Sequence, residues 1–178
     1  MRSDEELIRL LQRGDSEAFS EFVARHKDRV YRMAWLWLRA PQDAEDVLQE
    51  VLMRSYTGFS RFRFGASPLT WLLRVTRNVC HEFNRQPRPV SAAAWECTVE
   101  SSVPDGQDYW SREQLRLHAR QLVQALPRRQ KEVVSLRILE ELSTRDTAAI
   151  MGCREGTVKA LLNRAMGQMK QQLDLEYQ

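Results

Sequence analysis

The segment from Leu142 to Met169 constrains the fold most strongly, because it predicts two short helices separated by a sharp turn. Ser143 followed by Asp146 is a capping-box pattern that marks the start of the first helix. Gly152 ends that helix, since glycine readily adopts the left-handed conformation found at helix C-termini. The second helix begins near residue 155, and its buried stripe is Val158, Leu162, Ala165 and Met169. This pattern is typical of a helix-turn-helix, whose second helix can enter the major groove of DNA.

The same periodicity predicts which face of the second helix points outward. That face comprises Thr157, Ala160, Leu161 and Arg164. Ala160 and Leu161 cannot donate a hydrogen bond, so we expect apolar contacts with thymine methyl groups. Arg154, Lys159 and Arg164 would then contact phosphates or guanine. Two alternatives remain: Leu161 packs against the preceding helix, or the hairpin binds nothing.

Charge is unevenly distributed along the 178 residues. The overall net charge of +3 is too small to indicate a nucleic-acid ligand by itself. Residues 112–170, however, carry 12 basic and 6 acidic residues, whereas residues 87–111 carry 1 basic and 4 acidic. Basic charge therefore accompanies the helix-turn-helix, where DNA phosphates would attract it.

The cysteines and the apolar segments indicate a cytoplasmic protein. Cys80, Cys97 and Cys153 are too widely spaced for a disulfide framework, and with His81 they lack the ligand spacing of a zinc site. The acidic N-terminus has no signal-peptide pattern. The longest apolar run, residues 33–38, is far below the roughly 20 residues that span a bilayer. We therefore expect no membrane insertion, no metal or cofactor and no catalytic residues.

Caps and apolar stripes predict helices along the rest of the chain. They span about 3–12, 16–38, 43–56, 69–84, 111–126 and 128–139. The end of the second, MAWLWL, is apolar nearly all round, so it is either buried on several sides or exposes a patch for a partner. In the fifth, Leu115, Leu122 and Val123 should point inward. Residues 87–111 contain two early prolines and a Pro-Asp-Gly turn, and are too long for a connection inside a compact domain.

Two further patterns in the first half suggest ligands. Acidic and amide side chains line one face of the third helix, namely Asp43, Asp46, Gln49 and Glu50. Like charges at this spacing repel each other, so a basic partner surface explains them better than solvent alone. Farther along, aromatic residues alternate with arginines between Phe59 and Arg77. Such a pattern can hold single-stranded nucleic acid, although a core role for most of these rings is the alternative.

Together these segments resemble a bacterial RNA polymerase sigma factor of the extracytoplasmic-function (ECF) group. Residues 126–165 resemble that family's region four, and residues 4–34, 43–56 and 62–79 resemble its region two. The resemblance implies an all-α fold of two small domains, each of about four helices, joined by a flexible linker. The implied boundaries are residues 1–86, the linker 87–111 and residues 112–178, the last containing the helix-turn-helix.

The resemblance also implies partners and site residues. The partners are core RNA polymerase, promoter DNA in duplex and melted form, and an anti-sigma factor. The polymerase-binding residues would be Asp43, Asp46, Gln49 and Glu50. The minus-ten element would be bound by Arg61, Arg63, Phe64, Ser67, Thr70, Trp71, Arg74, Arg77 and Asn78. The minus-thirty-five element would be bound by Arg154, Glu155, Thr157, Lys159, Ala160, Leu161 and Arg164.

Departures from the family pattern keep rival interpretations open. The family usually has Ser-Arg at Ala160-Leu161, arginine at Met166 and an aromatic residue at Pro68. A helix-turn-helix regulator that never binds polymerase would leave the acidic face unexplained. A sigma mimic that sequesters an anti-sigma factor is the other alternative, although such mimics usually carry a receiver domain.

Overall fold

The computed structural model describes residues 2–86 and 112–176, and all regular structure within these two ranges is helical. The predicted all-α class is therefore confirmed. The predicted linker, residues 87–111, and its Ser111 helix cap lie outside the described residues. The domain boundaries at 86 and 112 remain predictions.

Four helices form the first group, and side-chain caps at Ser3, Asp15 and Ser67 start three of them. The helices are α1 (Asp4–Gln12), α2 (Ser16–Trp37), α3 (Ala44–Phe59) and α4 (Pro68–Arg85), with a 3₁₀ turn at Pro41–Asp43 before α3. At the start of α1 the Glu6 backbone N–H donates to Ser3 Oγ at 3.2 Å, and the Ser3 N–H donates to the Glu6 carboxylate at 2.7 Å. This capping box pairs two amides that the helix itself cannot satisfy.

The second group contains α5 (Arg112–Gln124), α6 (Arg128–Val134), α7 (Thr144–Met151) and α8 (Glu155–Glu176). The predicted helix over 128–139 keeps its α-helical geometry only to Val134, and Ser135–Leu139 form a π-helical turn. One inward assignment was wrong: Leu115 is 53% exposed, whereas Leu122 and Val123 are buried.

The apolar end of α2 lies between the two groups. Five of its six side chains are buried, namely Met33, Ala34, Leu36, Trp37 and Leu38, and Trp35 is half-buried. Trp37 Nε1 donates to Ser135 Oγ at 2.9 Å. The Arg120 guanidinium donates to the carbonyls of Trp35 and Leu38 at 3.2 and 3.3 Å, which places a cation on the negative end of the helix dipole. Of the two interpretations of MAWLWL, burial is confirmed, and α5 and Ser135 of the second helical group supply part of the covering surface.

Both groups share one continuous apolar cluster, in which α2 contacts α1, α3 and α4 and α4 contacts α7. None of the helices in the described ranges has both the length and the apolar character needed to cross a membrane. Across those same residues, no three His, Cys, Asp or Glu side chains are arranged to hold a metal ion.

Candidate nucleic-acid and polymerase interfaces

Helices α7 and α8 form the predicted helix-turn-helix. The Asp146 backbone N–H donates to Ser143 Oγ at 3.0 Å and thereby starts α7. Gly152 ends α7 with φ 63° and ψ 43°, the left-handed conformation predicted for it. Cys153 lies half-buried against the apolar cluster. The buried Val158 and Ala165 then hold α8 against α6 and α7.

Most of the predicted minus-thirty-five residues lie exposed along one side of α8. These are Arg154, Glu155, Thr157, Lys159, Ala160 and Arg164. Leu161 differs, because it is half-buried and packs against the apolar cluster. It therefore lies at the edge of the exposed face, and the alternative that it packs on the protein describes it better.

Sequence reasoning missed Asn163, which is exposed near the centre of that face. Val158, Leu162 and Ala165 fix the buried direction, and a turn of 100° per residue places Gly156, Ala160 and Asn163 opposite them. This outward direction of α8 could have been predicted from the sequence by the same helical periodicity. An added Cβ at Gly156 would meet nothing within 4 Å, so packing does not require the small residue there. Between neighbours as small as glycine and alanine, an asparagine side chain can reach a base edge, and its amide can pair with adenine through two hydrogen bonds.

The acidic face of α3 carries less unpaired charge than the sequence suggested. Glu50 accepts a hydrogen bond from Arg54 Nε at 2.6 Å, and the same guanidinium reaches Glu82 at 2.8 Å. The Arg54 hydrogen bond lowers the pKa of Glu82. Arg54 lies one turn after Glu50, so the pair follows ordinary i, i+4 spacing. Asp46 is exposed and makes no ion pair with another described residue, so its negative charge is available to a partner.

The other two residues predicted to bind polymerase lie beside Asp46. Gln49 is exposed on the next turn of α3, and Asp43 is half-buried at its N-terminus. The structure therefore places the four residues along one edge of the helix, with Asp46 and Gln49 its most accessible members.

The aromatic rings between α3 and α4 pack against one another. Phe62 lies 5.5 Å from Phe59, 5.0 Å from Phe64 and 5.9 Å from Trp71, measured between ring centroids. Phe59 is fully buried and Trp71 half-buried, so the core alternative is confirmed for Phe59 and in part for Trp71. The neighbouring Arg61 and Arg63 remain exposed.

The backbone of this loop is held in an unusual conformation. Gln12 Nε2 donates to the carbonyls of Phe59 and Phe62 at 3.0 and 2.9 Å and so ties the loop to α1. Phe64 has φ +54°, a left-handed conformation that bulky residues rarely adopt and that costs of order 1 kcal/mol. The Arg9 guanidinium lies 5.0 Å from the centre of its ring. Strain of this kind is common where a protein holds a loop ready for a ligand.

The first turns of α4 carry the remaining predicted minus-ten residues. Ser67 caps the helix by accepting the Thr70 N–H at 3.1 Å, and Ser67 and Asn78 are exposed. Arg74 donates to the Ala149 carbonyl in α7. Arg77 Nε donates to Glu132 in α6 at 2.8 Å. Both arginines therefore contact the second helical group.

Glu132 was not singled out from the sequence, yet it is the most enclosed acid at this contact, with 1% of the residue exposed. Burial raises its pKa, but hydrogen bonds from His81 and Arg77 outweigh that effect, so the pKa of Glu132 lies below its ordinary value. His81 Nε2 lies 2.6 Å from the Glu132 carboxylate. No local sequence pattern reveals these pairs, because 55 and 51 residues separate the partners.

Comparison with known proteins agrees with the order of the two helical groups along the chain. The sigma-70 region 2 model matches residues 22–88, and the sigma-70 region 4 model matches residues 117–169. The chain is 30% identical to the ECF RNA polymerase sigma factor SigM of Mycobacterium tuberculosis, over 94% of this chain and 83% of SigM. The chain belongs to the ECF sigma factors. SigW of Bacillus subtilis is 27% identical over 93% of this chain and 94% of SigW. Sigma-E of Escherichia coli is 28% identical over 92% of this chain and 90% of sigma-E.

Solved structures share the fold of this ECF sigma factor. CnrH, solved in complex with the cytosolic domain of CnrY, superposes with a TM-score of 0.76 at 21% identity over 97% of both chains. RpoE from Bartonella quintana, solved with the anti-sigma factor NepR, gives a TM-score of 0.69 at 23% identity, over 88% of this chain and 96% of that one. The family resemblance predicted from the sequence is confirmed, and with it the function of a sigma factor in transcription initiation.

Proposed function

We propose that this sigma factor uses three separate surfaces: α3 to bind core RNA polymerase, the loop 60–67 with α4 to hold the melted minus-ten strand, and α8 to read the minus-thirty-five element. The observation that carries the proposal is the placement of these surfaces on different helices. The unpaired carboxylate of Asp46 on α3 and the basic face of α8 lie on different helices, so one chain can bind a basic protein surface and DNA together.

The polymerase surface centres on Asp46 and Gln49. A carboxylate without an ion-pair partner favours a basic partner, and the adjacent amide can both donate and accept hydrogen bonds. Glu50 contributes through its pair with Arg54, which a basic partner would rearrange. Polymerase performs the chemistry, and the sigma factor, acting in the cytoplasm, supplies binding and orientation without catalytic residues of its own.

The melted strand is held by exposed arginines beside a packed aromatic cluster. Arg61 and Arg63 can bind phosphates, and Ser67 and Asn78 can hydrogen-bond to base edges. Extruding a base costs a few kcal/mol of stacking, which a pocket with an aromatic wall can offset. Phe64 and Trp71 would provide that wall, because both residues are only half-buried.

Duplex recognition is assigned to α8. Arg154, Lys159 and Arg164 position the helix on the phosphates, and Thr157, Ala160 and Asn163 face the base edges. We include an anti-sigma factor among the partners because CnrH and B. quintana RpoE, which share this fold, were each solved with a bound partner.

A charge-reversal pair tests the polymerase surface. Asp46→Lys should weaken binding of core polymerase at least about tenfold, because one of a set of close charge pairs becomes repulsive. Asp28→Lys is the matched control, since Asp28 is an exposed acid on a different helix, α2. Binding is measured by titrating labelled sigma factor with core enzyme. Equal affinity of both variants and the wild type would reject α3 as the polymerase surface.

Permanganate footprinting tests the loop independently. Replacing residues 61–66 with Gly and Ser should abolish thymine reactivity in the minus-ten region, while the closed complex on duplex DNA still forms. Normal reactivity with the replaced loop would reject its assignment to the melted strand and would leave the other two surfaces unaffected.

A further inference from the structure

The last turn of α1 holds the entrance of the loop 60–67. Gln12 is the final residue of α1, and its Nε2 donates to the carbonyls of Phe59 and Phe62 at 3.0 and 2.9 Å. Phe59 is the last residue of α3, so these two carbonyls lie on either side of the point where the loop begins. A single side-chain amide, which carries two N–H donors, therefore bonds to both sides of the turn that leads into the loop.

The backbone of the loop provides few hydrogen bonds of its own. Its first turn is closed by the Arg61 N–H, which donates to the Gly58 carbonyl at 3.2 Å, and by the Phe62 N–H, which donates to the Phe59 carbonyl at 3.1 Å. Within the described part of the chain, no backbone N–H of residues 63–66 has a protein acceptor. The left-handed conformation of Phe64 further opposes the observed shape. Side-chain contacts from outside the loop must therefore maintain that shape.

Helix α1 gives Gln12 a rigid base for such contacts. Leu7 and Ile8 are fully buried, and Leu11, the residue before Gln12, is 8% exposed. Arg9 lies on the same helix, and its guanidinium is 5.0 Å from the centre of the Phe64 ring. Helix α1 thus contacts the loop at two places, its entrance and its strained residue.

We propose that Gln12 is a positioning residue for minus-ten recognition, which keeps the loop 60–67 in its strand-binding shape before DNA is bound. The inference rests on the minus-ten role proposed above for that loop. A strand that meets a preformed loop loses less binding free energy to ordering it. Apparent affinity falls with the fraction of molecules in the competent shape. Gln12 acts through the loop backbone and needs no contact with DNA.

The size of the effect follows from the two hydrogen bonds. One neutral hydrogen bond shifts an equilibrium by roughly two- to tenfold. Because strain at Phe64 opposes the held shape, we expect that loss of both bonds leaves most molecules with the loop released. The competent fraction, and with it the rate of promoter melting, should then fall about fivefold or more. Core polymerase binding is assigned to α3 and should not change.

The test compares Gln12→Met with Ser3→Ala in reconstituted holoenzyme. Methionine has a similar length and helix propensity but no donor. Ser3→Ala is the matched control, because it removes the N-cap of the same helix and leaves both loop hydrogen bonds in place. On a promoter that yields a run-off transcript, a permanganate time course should show melting slowed about fivefold or more by Gln12→Met. Ser3→Ala should melt the promoter at the wild-type rate, and titration with core enzyme should give one affinity for all three proteins.

A second measurement follows the loop directly in the free sigma factor. Amide hydrogen exchange of Arg61 and Phe62, observed by NMR, should be about fivefold or more faster in Gln12→Met, because the turn they close has lost its outside support. Gln12→Glu should have the same effect, since a carboxylate cannot donate to either carbonyl. Ser3→Ala should exchange these two amides at the wild-type rate.

Failure of the positioning role and failure of the strand surface give different results. If Gln12→Met melts promoters at the wild-type rate while replacement of residues 61–66 abolishes melting, the positioning role is refuted and the strand surface stands. If Gln12→Met and Ser3→Ala slow melting equally, Gln12 acts only on the stability of α1, which also refutes the positioning role. If the replaced loop melts promoters normally, the strand surface itself is refuted, and the positioning role is refuted with it.

Discussion

The buried hydrogen bond between Trp37 and Ser135 offers a quantitative test that the two halves pack together in solution. Trp37 is 5% exposed and Ser135 fully buried, and their side chains meet at 2.9 Å. Ser135→Ala would leave the indole N–H buried without an acceptor, at a cost of about 1–3 kcal/mol. Trp37→Phe removes the donor and part of the buried ring. The double variant should therefore be more stable than the sum of the single effects predicts.

The coupling free energy should be about 1 kcal/mol. Ser135 Oγ also donates to the Lys131 carbonyl at 2.9 Å, but that loss occurs with either residue at position 37 and cancels in the cycle. Urea unfolding of wild type, both single variants and the double variant, followed by circular dichroism, gives the four free energies. A coupling below about 0.3 kcal/mol would refute the contact, because additivity is the behaviour of residues that do not touch.

Three further predictions concern single residues. Gly58→Ala should destabilise the protein by about 1–3 kcal/mol and alter tryptophan fluorescence, since the new Cβ would collide with the Trp71 ring. Gly65→Ala is the control and should be neutral, because a Cβ at Gly65 would meet nothing within 4 Å. Leu161→Arg should lower the melting temperature by about 2–4 °C for each kcal/mol of lost packing; an unchanged melting temperature with altered base preference would place Leu161 in the groove instead. Burial raises the pKa of Asp4, but contacts with His26 and Arg25 outweigh burial and hold the pKa below its ordinary 3.8. The carboxylate therefore stabilises the fold fully above pH 3.8, and this stabilisation is lost as the pH falls through the lowered pKa. Asp4→Asn should thus destabilise the protein at pH 7 and progressively less as the pH falls below 3.8, as urea titrations at a series of pH values would show.

Features that depend on neighbouring residues were predictable from the sequence. The caps at Ser3 and Ser143 and the left-handed Gly152 are such cases, because each is decided within about four residues. The buried stripe of α8 was predictable for the same reason: helical periodicity alone places Val158 and Ala165 on one side. The helix-turn-helix and the order of helices followed from these local signals.

Features that depend on contacts between distant segments were not predictable. The sequence places Leu115 in an apolar stripe, yet among the described residues its side chain stays 53% exposed. Arg77 reads as a free cation, but Glu132, 55 residues away, pairs with it. Glu50 is an intermediate case. Its pair with Arg54 has the regular i, i+4 spacing, but the sequence analysis considered only the like charges around Glu50. Asn163 was missed because the sequence analysis centred the outward face of α8 too close to Leu161.

Run-off transcription with purified core RNA polymerase, this sigma factor and a panel of promoter templates tests the proposed function most directly. A transcript of defined length should appear from a subset of the templates and should be absent with core enzyme alone. It should be lost with Asp46→Lys but kept with Asp28→Lys. If no template yields a sigma-dependent transcript while the protein still binds promoter duplexes, the chain does not direct initiation, and its assignment as an initiation factor with three separate surfaces is contradicted.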